Sequence, residues 1–142
     1  MKRLIALALL LCSTAVPVFA ADSTVTLTLD GRPIDKHGGI AVMHGGTVFV
    51  DAVDMTKTFN GLISMRTGGS ATITIQGSTG AFVPGSTTTV VNGVKARIPA
   101  PFMRGGDLFI PLNFFITRLT RAKVRIDAAR RRADILVNAS PM

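Results

Sequence analysis

Arg104-Gly-Gly-Asp-Leu-Phe-Ile-Pro-Leu-Asn-Phe-Phe-Ile-Thr-Arg-Leu119 decides the fold. A weaker copy, His44-Gly-Gly-Thr-Val-Phe-Val-Asp-Ala-Val-Asp-Met-Thr-Lys-Thr-Phe59, stands about sixty residues earlier. Each copy opens on a Gly-Gly turn, runs through a short apolar strand and changes at once to helical spacing. Leu112, Phe115, Ile116 and Leu119 fall at i, i+3, i+4 and i+7, and Ala52, Met55, Thr56 and Phe59 repeat that spacing. Each helix therefore has one buried face. Pro111 suits the first helical position of the later helix. The earlier one has Asp51 as N-cap and Asp54 in its first turn, and Asn60-Gly61 closes it through a left-handed cap.

Working outward, Val25 to Leu29 alternates apolar and polar residues, meets Asp30-Gly31 and resumes toward Ile34. Thr89 to Ile98 does the same around Asn92-Gly93. Both are hairpins with type I′ turns. After each helix come two more alternating runs: Leu62 to Arg66 with Ala71 to Gln76, and Lys123 to Asp127 with Arg132 to Val137. Each copy reads hairpin, strand, helix, hairpin, over about 25–77 and 86–138, with Gly77 to Ser86 as the joint. One half is too small to bury its own apolar faces. The expected fold is α+β: an antiparallel, β-rich single domain of two pseudo-repeats sharing one core, its sheet packed on two short helices. A small barrel is the alternative.

Met1-Lys2-Arg3, the leucine-rich run to Val16 and Val18-Phe19-Ala20 read as a signal peptide cut after Ala20, leaving 21–142 as an exported chain, periplasmic or at the cell surface. The run is shorter than the roughly 20 residues of a membrane-spanning helix, so no transmembrane segment is expected after cleavage. Cleavage removes Cys12, the only cysteine, and with Lys2 and Arg3 it lowers the net charge from +8 to +6. No disulfide or thiolate metal site is then available. The eight acidic residues are all Asp, and Tyr and Trp are absent, so acid–base chemistry has few candidates.

Val90-Val-Asn-Gly-Val94, Ile98-Pro-Ala-Pro-Phe102, the Gly-Gly turn, Leu108-Phe-Ile-Pro-Leu112, the amphipathic helix and Val124-Arg-Ile-Asp127 together resemble the copper amine oxidase N-terminal-like (stalk) domain. Asn113 stands where that family usually has Arg, Ile126 where it often has Trp, and Thr120-Arg121 where a Gly closes the helix. Asp51-Ala52-Val53 replaces Pro-Leu-Arg in the first copy. The resemblance implies a non-catalytic accessory module of bacterial exported and cell-surface proteins, with no copper and no oxidase activity. Residue inventory agrees: the oxidase needs a tyrosine for its quinone and three histidines for copper, whereas this chain has only His37 and His44.

His37, Met43 and His44 form a soft-ligand cluster that suits copper if loops bring them together, but the spacing lacks ligand number and a supporting shell. No cofactor is assigned. No Gly-x-Ser-x-Gly elbow, P-loop or dinucleotide fingerprint is present. The candidate site is the basic run Arg118, Arg121, Lys123, Arg125, Arg130, Arg131 and Arg132, opposed only by Asp127 within those positions. On a strand, Lys123 and Arg125 would share one face while Val124 and Ile126 face the core.

One reading is a charged edge that discourages sheet-to-sheet pairing. The other is attraction to anionic envelope polymers or lipid head groups through arginine. Nucleic acid is disfavoured because no aromatic residue interleaves with the arginines. The expected function is a non-catalytic envelope binding or structural module. A polyanion-binding envelope protein is the alternative and a secreted enzyme comes third. Envelope proteins are a further class of partner.

Overall fold

The computed structural model describes residues 23–34 and 41–137. The leader and His37 lie outside them. The strands are β1 (Ser23–Thr24), β2 (Thr26–Leu29), β3 (Arg32–Pro33), β4 (Ala41–His44), β5 (Thr47–Asp51), β6 (Leu62–Met65), β7 (Ala71–Ile75), β8 (Ser78–Phe82), β9 (Thr88–Val91), β10 (Val94–Arg97), β11 (Phe102–Arg104), β12 (Asp107–Pro111), β13 (Lys123–Asp127) and β14 (Arg132–Leu136). Two short helices, α1 (Ala52–Thr58) and α2 (Leu112–Leu119), follow directly from β5 and β12. This is a β-rich α+β architecture.

The expected single sheet is instead three: β1-β4-β5-β12-β11, β10-β9-β8-β7-β6 and β13-β14-β2-β3. Among the described residues every pairing is antiparallel except β14 with β2, where Arg132 opposes Thr26 and Ile135 opposes Leu29. Local hairpins announce themselves through their turns. A parallel pairing between positions more than a hundred residues apart has no turn to announce it.

At the middle of the first sheet β5 meets β12, with Val50 opposite Ile110 and Pro111 opposite Phe49. Val48, Val50, Leu108 and Ile110 face a core shared by all three sheets. It includes Leu27, Met55, Ile73, Phe82, Phe115, Leu119 and Ile135, so both halves bury their apolar faces in one interior. Leu112, Phe115, Ile116 and Leu119 are all buried on α2, and Ala52, Met55 and Thr56 on α1.

The hairpin turns follow the sequence. Asp30-Gly31, Asn92-Gly93 and both Gly-Gly pairs have two consecutive positive φ angles, as type I′ turns require. Gln76-Gly77 makes another such turn, with φ 50° and 86°. It leads into β8, a strand where the sequence suggested a joint between copies. Its residues Ser-Thr-Gly-Ala-Phe hide the pattern, but Gly80 and Phe82 alternate inward. A Cβ at position 80 would lie 3.2 Å from Leu119 Cδ2 and 3.1 Å from the Phe82 ring, so a larger residue there would push on both side chains.

The helix ends differ from expectation in detail. Asp51 caps α1, its Oδ1 accepting from the N–H groups of Val53 and Asp54 at 3.0 and 3.1 Å. Pro111 occupies the N-cap of α2 rather than its first turn. Its extended ψ of 126° lets it also finish β12. Past α1, Asn60 rather than Gly61 takes the left-handed conformation, φ 58°. Asn60 N–H then donates to Lys57 C=O and Gly61 N–H to Thr56 C=O, a Schellman closure. Gly61 is required for space: an added Cβ would sit 2.5 Å from Ile75 Cγ1 and 2.7 Å from Thr74 O.

Candidate functional site

Strand β13 carries the middle of the basic run and lies at the edge of its sheet. Lys123 opposes Leu136, Arg125 opposes Asp134 and Asp127 opposes Arg132, so these six side chains share the outer face. Val124 packs against the core as expected. Ile126 does not: it is 40% exposed, on an edge strand with only the methyl of Ala133 beside it on the neighbouring strand.

Two of the seven basic residues already have carboxylates. Arg132 Nε lies 2.9 Å from Asp134 Oδ1, and Arg130 Nε lies 3.7 Å from Asp127 Oδ2. Asp134 also accepts the Thr28 hydroxyl at 2.5 Å. That bond, with the Arg132 contact and the charge of Arg125, holds its carboxyl below the usual aspartate range. Arg130 sits at the tip of the hairpin, where its N–H also bonds Asp127 Oδ1 at 3.2 Å. Arg131 beside it adopts φ 50°, a conformation that usually selects Gly or Asn.

The seven are spread along the length of the hairpin. Lys123 and Asp127 are four residues apart on a strand, or about 13 Å at roughly 3.3 Å per residue. Arg118 and Arg121 lie toward the Lys123 end, Arg130 and Arg131 beyond the Asp127 end. Arg121 is tied down only through its backbone, whose N–H donates to the Gln76 side-chain carbonyl at 2.8 Å. Arg118 lies 5.1 Å from the centre of the Phe114 ring. Phe114 is half-buried and edge-on to Phe82, 6.2 Å between centroids, so it braces the arginine rather than standing free.

Arg118 also lines a cleft of about 430 Å³ together with Arg97, Thr47, Asn113, Thr117 and Phe114, and no carboxylate lines it. Arg97 comes from the end of β10. Sequence proximity selected the run from 118 to 132 and missed Arg97, which only the fold brings beside α2. The signal available was its place at the end of an alternating strand before Ile98-Pro99.

A second group lies on the outer face of the central sheet. Phe49 and Phe109 are buried there with Val42, and Phe102 packs on them. The Phe102 and Phe109 rings are stacked at 5.4 Å and 7°. The Arg104 guanidinium carbon lies 5.4 and 5.5 Å from those two ring centres. The His44 ring lies 4.2 Å from that of Phe102. The sequence reading singled out no such group. Period-two spacing was the missed signal: Val42 with His44, Phe102 with Arg104, and Phe49 and Phe109 on the partner strands.

Met43, adjacent to His44, faces the opposite way and packs against the main core. The suggested soft-ligand cluster is therefore split across the sheet. Among the described residues no group of three His, Cys, Asp or Glu side chains is placed to hold a metal ion.

Among the described residues one carboxyl is perturbed upward. Burial raises Asp51, 7% exposed, above the ordinary aspartate range, and the charges of Asp54 and Asp107 add to this. The N–H bonds from Asp54 and Val53 oppose the shift. Among the described residues no helix is long and apolar enough to cross a membrane. No family model, no curated protein and no solved structure matches the chain.

Proposed function

We propose that this chain is a non-catalytic, exported module of the bacterial cell envelope that binds polyanionic polymer or lipid head groups through its basic surface. The carrying observation is the pairing of Arg97 with Arg118 in a cleft without acidic lining. Clustered guanidinium groups favour phosphate or carboxylate oxygens because their N–H donors match those oxygens in pairs. Arg121, Lys123 and Arg125 extend this charge along the edge of β13, while Arg130 and Arg132 contribute less because Asp127 and Asp134 already occupy them. The non-catalytic part of the reading draws support from Asp51. Among the described residues, the carboxyl raised by burial is engaged in capping a helix, not poised at a cleft.

The proposal includes two halves descended from one stalk-like unit. Its support is the succession of a hairpin, a Gly-Gly strand pair, a helix and a hairpin on each side of β8. In that alignment β8 is an insertion between the positions that β14 and β2 occupy side by side.

The test is retention of the protein on isolated bacterial envelopes across a salt series. Retention should fall with salt, and an Arg97→Ser/Arg118→Ser pair should weaken it more than Arg130→Ser/Arg132→Ser. Retention indifferent to salt and to both pairs would leave the basic surface as a solvated edge and nothing more.

A further inference from the structure

The edges of the three sheets are unequally protected. β1 and β3 are two residues long, β11 is three and ends in Arg104, β10 carries Lys95 and Arg97, and β13 carries Lys123, Arg125 and Asp127. Proteins blunt their edges by shortness or by charge, since an open edge offers unpaired N–H and C=O groups to another chain. Strand β6, Leu62-Ile-Ser-Met65, has neither defence. It is uncharged, Leu62 is 75% exposed and Met65 38%.

We propose that β6 is the seam of a twofold dimer, in which two copies pair antiparallel through Leu62–Met65 and join their five-stranded sheets into one. The register follows from the hairpin. Arg66 N–H donates inward to Ser70 C=O at 2.9 Å. By alternation Leu62 and Ser64 also bond inward, and Ile63 and Met65 direct their N–H and C=O outward. Centring the pair on Ser64 sets Ile63 of each copy opposite Met65 of the other and completes all four outward groups of each strand. Ile63 and Met65 lie on the core side, opposite Ile73 and Ala71 in the hairpin, so each Met65 is covered by an isoleucine. On the outer side Leu62 lies against the aliphatic stem of Arg66 from the second copy.

Charge selects the occupant. The chain carries a net +8. Centring two copies of β10 on Ala96 sets Lys95 against Arg97, and centring β13 on Arg125 sets that arginine against its own copy even as Lys123 meets Asp127, whereas β6 lets a basic chain meet itself with no like charges opposed. A partner with an acidic strand would be drawn to β13 or β10 instead.

So small a seam gives a weak dimer, to be sought by sedimentation equilibrium of the purified protein from about 1 µM to 1 mM. Ser64 is exposed and meets its own copy across the axis. Ser64→Lys and Ser64→Asp should each weaken dimerisation at least about tenfold while leaving circular dichroism unchanged, and an equal mixture should restore it. In a Cys12→Ser background, Ser64→Cys should form an interchain disulfide under mild oxidation, because an opposed pair of this kind sets its Cα atoms about 4.5 Å apart. Thr72→Cys, one strand inward, should not. A monomer throughout, a dimer indifferent to Ser64→Lys, or equal cross-linking from position 72 would each overturn the proposal.

Discussion

The two helices leave neighbouring strands of one sheet, cover one core and begin and end by different chemistry. α1 starts on a buried carboxyl, Asp51, and stops at a left-handed Asn60 followed by a glycine with no room for a larger side chain. α2 starts on Pro111 with no side-chain cap. It stops at Thr120, whose hydroxyl donates to Ile116 C=O at 2.8 Å and accepts from Ala122 N–H at 3.0 Å. Gln76 from the other half completes that stop by accepting from Arg121. Helix termination here is set by what lies beyond the end. Gly61 is pressed between Thr56 and Ile75, while α2 opens toward a turn that reaches back with a side chain.

Replacing Gly61 by Ala should be the largest blow to this arrangement. The new methyl meets backbone oxygen as well as a side chain, and a loss of about 3 kcal/mol is expected in chemical denaturation, as for overpacked sites. Gly80→Ala, which meets only side chains at 3.1 to 3.4 Å, should cost clearly less. Equal losses at both positions would show that α1 does not depend on its close exit.

Asp51→Ala removes the cap and should cost about 1 to 2 kcal/mol. Asp51→Asn keeps the cap and separates charge from hydrogen bonding. Because burial raises the folded carboxyl, the protonated form favours the folded state. That contribution is complete below the ordinary aspartate pKa and is lost as pH rises through the folded one. The Asn variant should therefore match or exceed the parent at neutral pH and lose this part of the pH dependence. Thermal melts from pH 3 to about 7 distinguish the two variants. If Asn is as costly as Ala, the charge itself holds the cap.

The helices also differ in what they bury. Ile116 is buried on α2 at the position Thr56 takes on α1, and the Thr56 hydroxyl is buried without a hydrogen-bond partner. Thr56→Val should stabilise by about 1 kcal/mol, since a buried unpaired hydroxyl is worse than a methyl of the same shape. A destabilised valine variant would mean that the hydroxyl has a partner.

The smallest effect is expected where the two post-helix hairpins differ. The first turns on Gly68 and Gly69 and the second on Arg131 at φ 50°. Arg131→Gly should gain up to about 1 kcal/mol by relieving a left-handed residue. A gain in stability with a loss of envelope retention would mark Arg131 as kept for binding.

Much of this was legible in the chain. Turn pairs such as Asn92-Gly93 and the stripe from Leu112 to Leu119 encode local structure through φ and period, and those elements stand where the pattern put them. Strand β8 was hidden because its inward positions hold a glycine and a single phenylalanine, leaving no alternation to count. Arg97 beside Arg118, Gln76 on Arg121 and β14 beside β2 were hidden for another reason. Each is a meeting of distant segments, and neither partner carries a local mark of the other. The seven arginines and lysines were easy to find as a run. That two of them lie against aspartates is a matter of local spacing, Arg130 three residues from Asp127 and Arg132 two from Asp134, which a count of charges passes over.

The parallel neighbour of β2 is β14, more than a hundred positions later in the chain. Apart from β14, β2 pairs only with the two-residue β3. A chain emerging from its amino end therefore carries Leu27 without most of its cover until Ile135 has been made. Final closure is a late, long-range event, with a large loop entropy to overcome before the contact rewards it. Cutting the chain before β14 would expose both ends of the interior at once, so the last strand acts as the latch on the first.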